Sequence, residues 1–166
     1  MDLNALLIDA YDRSVAGCRS ILEGIDDDTL HARLTGSSNS IAWLVWHIAR
    51  EQDLQIAHAA GREQVWTEQG WVERFDRGPA DFGLGDSPEQ VAAFRVDGPE
   101  VLLGYLTAVR EAAVEYLGTV TEAELDEVID DNFDPPVTRG VRLVSIIDDA
   151  AQHRGQAAFI RGALVD

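Results

Sequence analysis

Apolar residues recur at helical spacing in four long segments of the chain. This periodicity predicts helices over about Leu3–Glu23, Ser40–Ala60, Ser87–Leu117 and Gly140–Ala163. Residues typical of helix starts precede the second and third segments, and glycines follow the first two. Because no alternating pattern of useful length predicts a strand, we expect an all-α fold, an up-down four-helix bundle.

The connections between these helices differ greatly in length. The longest, Gly61–Asp86, contains several glycines with aromatic residues between them, which predicts a long ordered loop between helices two and three with one short helical piece. Within the third helix, Gly98-Pro99 indicates a kink. A capping-box pattern that begins at Thr121 predicts a short helix to about Ile129.

Charge and length narrow the classes of protein to consider. The chain has 166 residues, which fits one domain over 1–166, and 30 acidic against 13 basic residues give a net charge of −17. Nucleic-acid binding requires clustered Lys and Arg side chains, and an anionic membrane surface repels a protein of this charge. We therefore expect neither nucleic acid nor membrane as a partner.

Three local features favour a cytoplasmic protein. The segment Met1–Arg13 lacks the basic stretch that begins a secretory signal peptide. The longest apolar run, Ile41–Trp46, is far shorter than the roughly 20 residues of a membrane-spanning helix. Cys18 is the single cysteine, so an intramolecular disulfide is excluded, and it is expected to be a buried apolar residue of the first helix.

Three residues on two of the predicted helices form a candidate metal site. Asp149 and His153 are one turn apart on helix four. Asp149 lies at the edge of the apolar stripe of that helix and His153 lies within it, whereas His47 lies on the core side of helix two. A carboxylate and imidazoles on inward faces are unfavourable to bury unless they are paired or bind a metal. Three protein ligands leave one position open for water or substrate, which is typical of a catalytic metal site. The alternative is that each is a polar side chain satisfied by its neighbours.

The other candidate ligands fit this site less well. Glu51, one turn after His47, is a fourth or outer ligand or a solvated residue. His58 lies about 16 Å along the helix from His47, too far to share a metal ion. Asp148 points about 100° away from Asp149 and is expected to be exposed. His31 lies in a polar connection and is expected at the surface.

Two blocks of sequence resemble a known family. Ser40–Ala49 reads SIAWLVWHIA and Asp149–Gln156 reads DAAQHRGQ. Both are similar to the signature blocks of the DinB/YfiT-like superfamily of metal-binding four-helix bundles, and Asp134–Thr138 resembles actinobacterial members. The resemblance implies a metal held by His47, Asp149 and His153, similar to the His-carboxylate-His set of mycothiol-dependent maleylpyruvate isomerases.

The resemblance also implies a class of reaction. Members of the superfamily include S-transferases that use a low-molecular-weight thiol such as mycothiol or bacillithiol. On this reading a divalent metal, with Zn²⁺ as the default and Ni²⁺, Mn²⁺ or Fe²⁺ as alternatives, activates the thiol to attack a small electrophile. The electrophile is expected under the long loop, with Trp66–Phe75 as a cover or as core residues.

Two other functions stay open at this point. One is a metal-binding stress or detoxification protein without turnover. The other is a metal-free bundle that acts as a dimeric interaction module, and helix bundles of this size often form homodimers.

Overall fold

The computed structural model describes residues 1–164, and most of them are helical. Four long helices and three short ones, numbered along the chain, are α1 (Leu3–Leu22), α2 (Asp27–His31), α3 (Ile41–Ala60), α4 (Val65–Glu68), α5 (Pro88–Ala93), α6 (Pro99–Leu117) and α7 (Arg139–Leu164). Two 3₁₀ helices cover Trp71–Arg74 and Glu122–Asp126, and two short antiparallel strands, β1 (Val128–Asp130) and β2 (Val137–Thr138), form a hairpin. Among the described helices, none is long and apolar enough to cross a membrane.

Helix ends are set by local hydrogen bonds that the sequence pattern indicated. The Ser40 hydroxyl accepts a hydrogen bond from the Trp43 amide, so α3 begins at the expected residue. Gly61, with a φ of 65°, ends α3 in the left-handed conformation that glycine adopts without strain. Ser87 and Gln90 form a capping box that begins α5. These three positions match the predicted helix boundaries to within one residue.

The four long helices form the predicted bundle, but their directions do not simply alternate. Each of α1 and α3 packs against both α6 and α7. The Asn4 side chain donates to the Leu117 carbonyl, so α1 begins where α6 ends. Arg139, at the start of α7, donates to the Ala59 carbonyl and to the Tyr116 hydroxyl, so α3 and α6 end together where α7 begins. The order is therefore up-down-down-up.

This order corrects the up-down expectation, and the long connection explains it. The connection from Gly61 to Gly98 returns the chain to the end of the bundle where α3 begins, so α6 runs parallel to α3. The single kinked helix that we expected over Ser87–Leu117 is two helices, α5 and α6. Gly98 has a φ of 85°, which no residue inside an α-helix adopts, and Pro99 starts the new helix.

Two smaller expectations also need correction. The segment after Thr121 forms a 3₁₀ helix and then the strand β1, rather than a helix to Ile129. The connection after α3 holds two helical pieces, α4 and the 3₁₀ helix Trp71–Arg74, rather than one.

Aromatic side chains of the long connection pack into the core instead of covering a pocket. The rings of Trp66 and Phe75 are both buried, with centroids 5.2 Å apart, and Trp66 lies 5.2 Å from Tyr105 of α6. Asp53 of α3 holds this part of the chain in place. Its carboxylate accepts hydrogen bonds of 2.8 Å from the Val65 and Trp66 amides and from the Tyr105 hydroxyl. The connection is therefore a third structural layer on α3 and α6.

Candidate metal centre

The structure brings His47, Asp149 and His153 together between α3 and α7. One potential ligand atom of each residue lies within 4.8 Å of those of the other two. His153 Nε2 is 3.4 Å from Asp149 Oδ1, and the two imidazole rings lie edge to face with centroids 4.9 Å apart. The antiparallel packing of α3 and α7 creates this cluster from residues about 100 positions apart in the chain.

Asp149 carries the feature that best fits a cation. Its Oδ2 atom is buried and has no hydrogen-bond partner among residues 1–164. A buried carboxylate oxygen without a partner is unfavourable because its lost hydration is not replaced. A divalent ion beside the two histidines would replace it, and His₂-carboxylate is a recognised donor set for Zn²⁺. The residues present therefore fit the metal that the sequence pattern predicts.

A hydrogen bond to the long connection orients His47. Its Nδ1 donates to the Phe82 carbonyl at 2.5 Å, which leaves Nε2 free to face the cluster. The indole of Trp43 stacks on the imidazole, with centroids 4.7 Å apart and the planes 14° from parallel. Burial lowers the pKa of His47, so its neutral form, which coordinates metals, is favoured.

The same connection fixes Trp43 and so supports His47 from a second side. Trp43 Nε1 donates to Asp86 Oδ2 at 2.8 Å, and Arg77 pairs with that oxygen at 2.6 Å. The side chains of Arg77 and Asp86 are only 8% and 7% exposed. Gly83 lies directly on the cluster, because a Cβ atom there would be 3.1 Å from His47 Nδ1.

His153 and Asp149 form a pair whose charges support each other. The hydrogen bond that the imidazole of His153 donates to the Asp149 carboxylate raises the pKa of His153. Burial alone would raise the pKa of Asp149, but the hydrogen bond and charge of His153 outweigh it and lower that pKa. On its other side, His153 Nδ1 lies 3.1 Å from Gln156 Oε1, so Nε2 faces Asp149 and the centre.

The structure separates the other candidate residues from this centre. Glu51 is half-buried and its charge acts on both histidines, but it is not part of the cluster. Asp148 is exposed, as expected, and His58 is exposed as well and lies outside the cluster. The expectation that His31 lies at the surface is wrong, because its side chain is mostly buried and its Nε2 accepts a hydrogen bond from the Val96 amide.

Cys18 takes no part in the site. It is buried in the core on α1, as expected, and burial raises the pKa of its thiol to about 12. The thiol is therefore protonated at neutral pH, and the nucleophile of any thiol chemistry has to come from outside the chain.

The residues that support His47 carry little signal in the sequence. The Phe82 hydrogen bond uses a backbone carbonyl, which every residue has. Asp86 is one of 30 acidic residues and Arg77 one of 13 basic ones, so neither is distinctive by type. The one usable signal is the pair Gly83 and Gly85, since both have positive φ values that other residues rarely adopt.

Comparisons with known proteins agree with this architecture. Residues 10–157 match the family model of the DinB superfamily. A crystal structure of a conserved protein from Enterococcus faecalis is 35% identical, covers 97% of this chain and 96% of its own, and superposes with a TM-score of 0.88. A comparison with curated proteins finds no significant match. On the extent of the family match, this chain belongs to the DinB superfamily.

Proposed function

We propose that the protein is a metal-dependent transferase or isomerase that uses a low-molecular-weight thiol of the mycothiol type as co-substrate. The observation that carries the proposal is the unpartnered Asp149 Oδ2 beside two imidazole nitrogens. The side chain of Asp149 is 38% exposed and that of His153 is 21% exposed, so the cluster is open on the α7 side. Three ligands with an open side are typical of a catalytic rather than a structural metal site.

His47, Asp149 and His153 are the proposed ligands, and Zn²⁺ is the proposed metal. Ni²⁺, Mn²⁺ and Fe²⁺ accept the same ligand types. A divalent ion held there would supply a Lewis acid that lowers the pKa of a coordinated thiol and keeps it deprotonated at neutral pH. The chain's own residues contribute orientation: the Phe82 carbonyl sets the His47 ring, and Gln156 sets that of His153.

The proposed transfer balances without a redox partner. The sulfur of the small thiol forms a bond to an electrophilic carbon, and the leaving group departs with the electrons of the bond that breaks. The thiol proton passes to solvent. The buried Cys18 cannot compete as a nucleophile because burial raises its pKa to about 12.

The first experiment measures metal content and affinity. Purified protein is expected to bind about one zinc ion per chain by elemental analysis after removal of any tag. Asp149→Asn and His153→Ala are expected to lose it, and His58→Ala, which removes an exposed histidine of α3 outside the cluster, is the matched control. Zinc bound equally by His153→Ala and the wild type would contradict the proposed ligand set.

The second experiment tests turnover on the same four proteins. Mycothiol, bacillithiol and glutathione are each incubated with a small electrophile such as iodoacetamide, and thiol loss is followed against the uncatalysed rate. The proposal is supported if the wild type and His58→Ala accelerate thiol loss and Asp149→Asn and His153→Ala do not. Zinc binding without acceleration of any thiol would overturn it in favour of a metal-binding protein without turnover.

A further inference from the structure

A groove of about 320 Å³ lies between the beginning of α3 and the end of α7, next to the candidate metal centre. Leu44 and Ile160, both buried, form its apolar floor, and the phenyl ring of Phe159 forms one wall although it is 70% exposed. Ser38 and Asn39, from the segment before α3, line its far end with polar groups. Small-molecule sites begin at about 300 Å³ and combine mostly apolar walls with a few polar groups.

Two residues make this groove an extension of the metal centre. Leu44 comes three residues before His47 on α3, so it lies on the same face about one turn away. On α7, which runs in the opposite direction, Gln156 follows His153 by three residues and lies 3.1 Å from its Nδ1. Gln156 lines the groove as well, so a ligand there would lie about one helical turn from the metal ligands.

The other approach to the centre is filled by the protein itself. Phe82 and Gly83 lie on His47 so closely that a Cβ at position 83 would come within 3.1 Å of Nδ1. Of the two roles that the sequence left open for Trp66 and Phe75, a cover or core residues, the structure shows the second, since both are buried in the core. The side chains of Asp149 and His153 are partly exposed on the α7 side, so this side, where the groove lies, is accessible to a substrate.

We propose that this α3–α7 groove binds the apolar body of the electrophile, with its reacting carbon at the metal centre and its polar end towards Ser38 and Asn39. The proposal names the substrate class, and in this it rests on the function proposed above. The class is a small electrophile with an alkyl or phenylalkyl body, as opposed to a compact or highly charged one. The apolar lining, the volume of the groove and the contact of Gln156 with His153 each support this choice.

Binding is tested with a series that varies only the apolar body. N-methyl-, N-butyl-, N-phenyl- and N-(4-phenylbutyl)acetamide have no leaving group, so their binding to the zinc-loaded protein can be followed by NMR without reaction. We expect the affinity to rise with the length of the body, by about fourfold for each methylene group that is buried. An affinity that does not depend on the body would overturn the proposal.

Two exposed positions on α7 provide the variant and its control. Phe159→Ser removes the wall of the groove, and Val144→Ser removes an apolar side chain of similar exposure, 66%, elsewhere on α7. Because both residues are exposed, neither change is expected to unfold the protein. We expect Phe159→Ser to lower the affinity for N-(4-phenylbutyl)acetamide by about tenfold and Val144→Ser to leave that affinity unchanged. Equal effects of the two variants would overturn the proposal.

A turnover assay with the corresponding bromoacetamides distinguishes the groove proposal from the thiol-transfer function on which it rests. In that assay the thiol sulfur bonds to the CH₂ carbon, bromide leaves with the electron pair, and the thiol proton goes to the buffer. Turnover of iodoacetamide without any preference for longer bodies would overturn the groove and leave thiol transfer in place. Length-dependent acetamide binding without turnover would keep the groove and reject thiol transfer. If the protein is a dimer that Phe159→Ser dissociates while the affinity for the acetamides stays unchanged, the proposal is overturned and the groove is assigned to contact between two copies of the chain.

Discussion

Gly83 offers the sharpest test of how the long connection supports His47. A Cβ atom at this position would lie 2.8 Å from Trp43 Cζ2, 2.9 Å from Trp46 Cζ3 and 3.1 Å from His47 Nδ1. All three rings are buried, so none can move away without disturbing the core. We therefore expect Gly83→Ala to displace either the connection or the imidazole of His47.

Two contributions set the expected loss of stability. The φ of Gly83 is 87°, and an alanine in such a conformation costs about 1–2 kcal/mol. The clash with three buried rings adds about 1–3 kcal/mol, as is usual when a packed site is overfilled. Because the Phe82 carbonyl orients His47, we also expect zinc affinity to fall by about 10–100-fold, the usual effect of losing such a support.

Gly85→Ala is the matched control for the backbone contribution. Its φ of 80° is nearly the same, and a Cβ there meets nothing within 4 Å in the described part of the chain. Gly83→Ala should therefore unfold at a temperature roughly 2–12 °C below that of Gly85→Ala, which corresponds to about 1–3 kcal/mol for a protein of this size. Thermal unfolding followed by circular dichroism, and zinc titration against a chromogenic chelator, measure the two effects.

Either of two results would refute this reasoning. Equal melting temperatures for the two variants would mean that the connection does not pack on the three rings as described. A lower melting temperature of Gly83→Ala together with unchanged zinc affinity would mean that the Phe82 hydrogen bond does not control the orientation of His47.

Three further predictions concern residues outside the proposed ligand set. Because burial raises the pKa of Cys18 to about 12, native protein should not react with a thiol reagent at neutral pH, whereas urea-unfolded protein should; a fast native reaction would contradict this. Asp53→Ala should lower the free energy of unfolding in urea by about 3–5 kcal/mol, since Arg50 and two amides lose a buried partner, and a loss under 1 kcal/mol would be inconsistent with this network. Burial raises the pKa of Asp86, but the hydrogen bonds from Arg77 and Trp43 outweigh it and hold the pKa below its ordinary 3.8. The resulting stabilisation is present above pH 3.8 and is lost as the pH falls through the lower pKa of the folded state. The difference in unfolding free energy between wild type and Asp86→Asn should therefore shrink in acid. A difference that is independent of pH would exclude this role of Asp86.

Comparison of the predicted and observed helices indicates which features are local. The bounds of α1, α3 and α7 differ from the predicted ones by at most one residue at either end, because caps and periodicity act over a few residues. The division between α5 and α6 was missed because a Gly-Pro pair is compatible with both a kink and a break. Only the φ of 85° at Gly98 distinguishes the two.

The same distinction applies to the candidate site. The one-turn spacing of Asp149 and His153 places both on one helix face, and that follows from sequence alone. Their meeting with His47 depends on the antiparallel contact of α3 with α7. The wrong expectation for His31 has a similar origin, since the Val96 amide that its Nε2 contacts lies 65 residues away.

The sequence by itself determined that the protein is an acidic helical bundle with two histidines and a carboxylate on inward faces. Helical periodicity, caps and spacing depend on neighbours within a turn or two, so they can be read along the chain. The tertiary structure alone decided the up-down-down-up order, the carbonyl of Phe82 on His47 and the groove beside Gln156. Those features arise from backbone groups and from contacts between distant segments, and neither leaves a residue-type pattern that a sequence reveals.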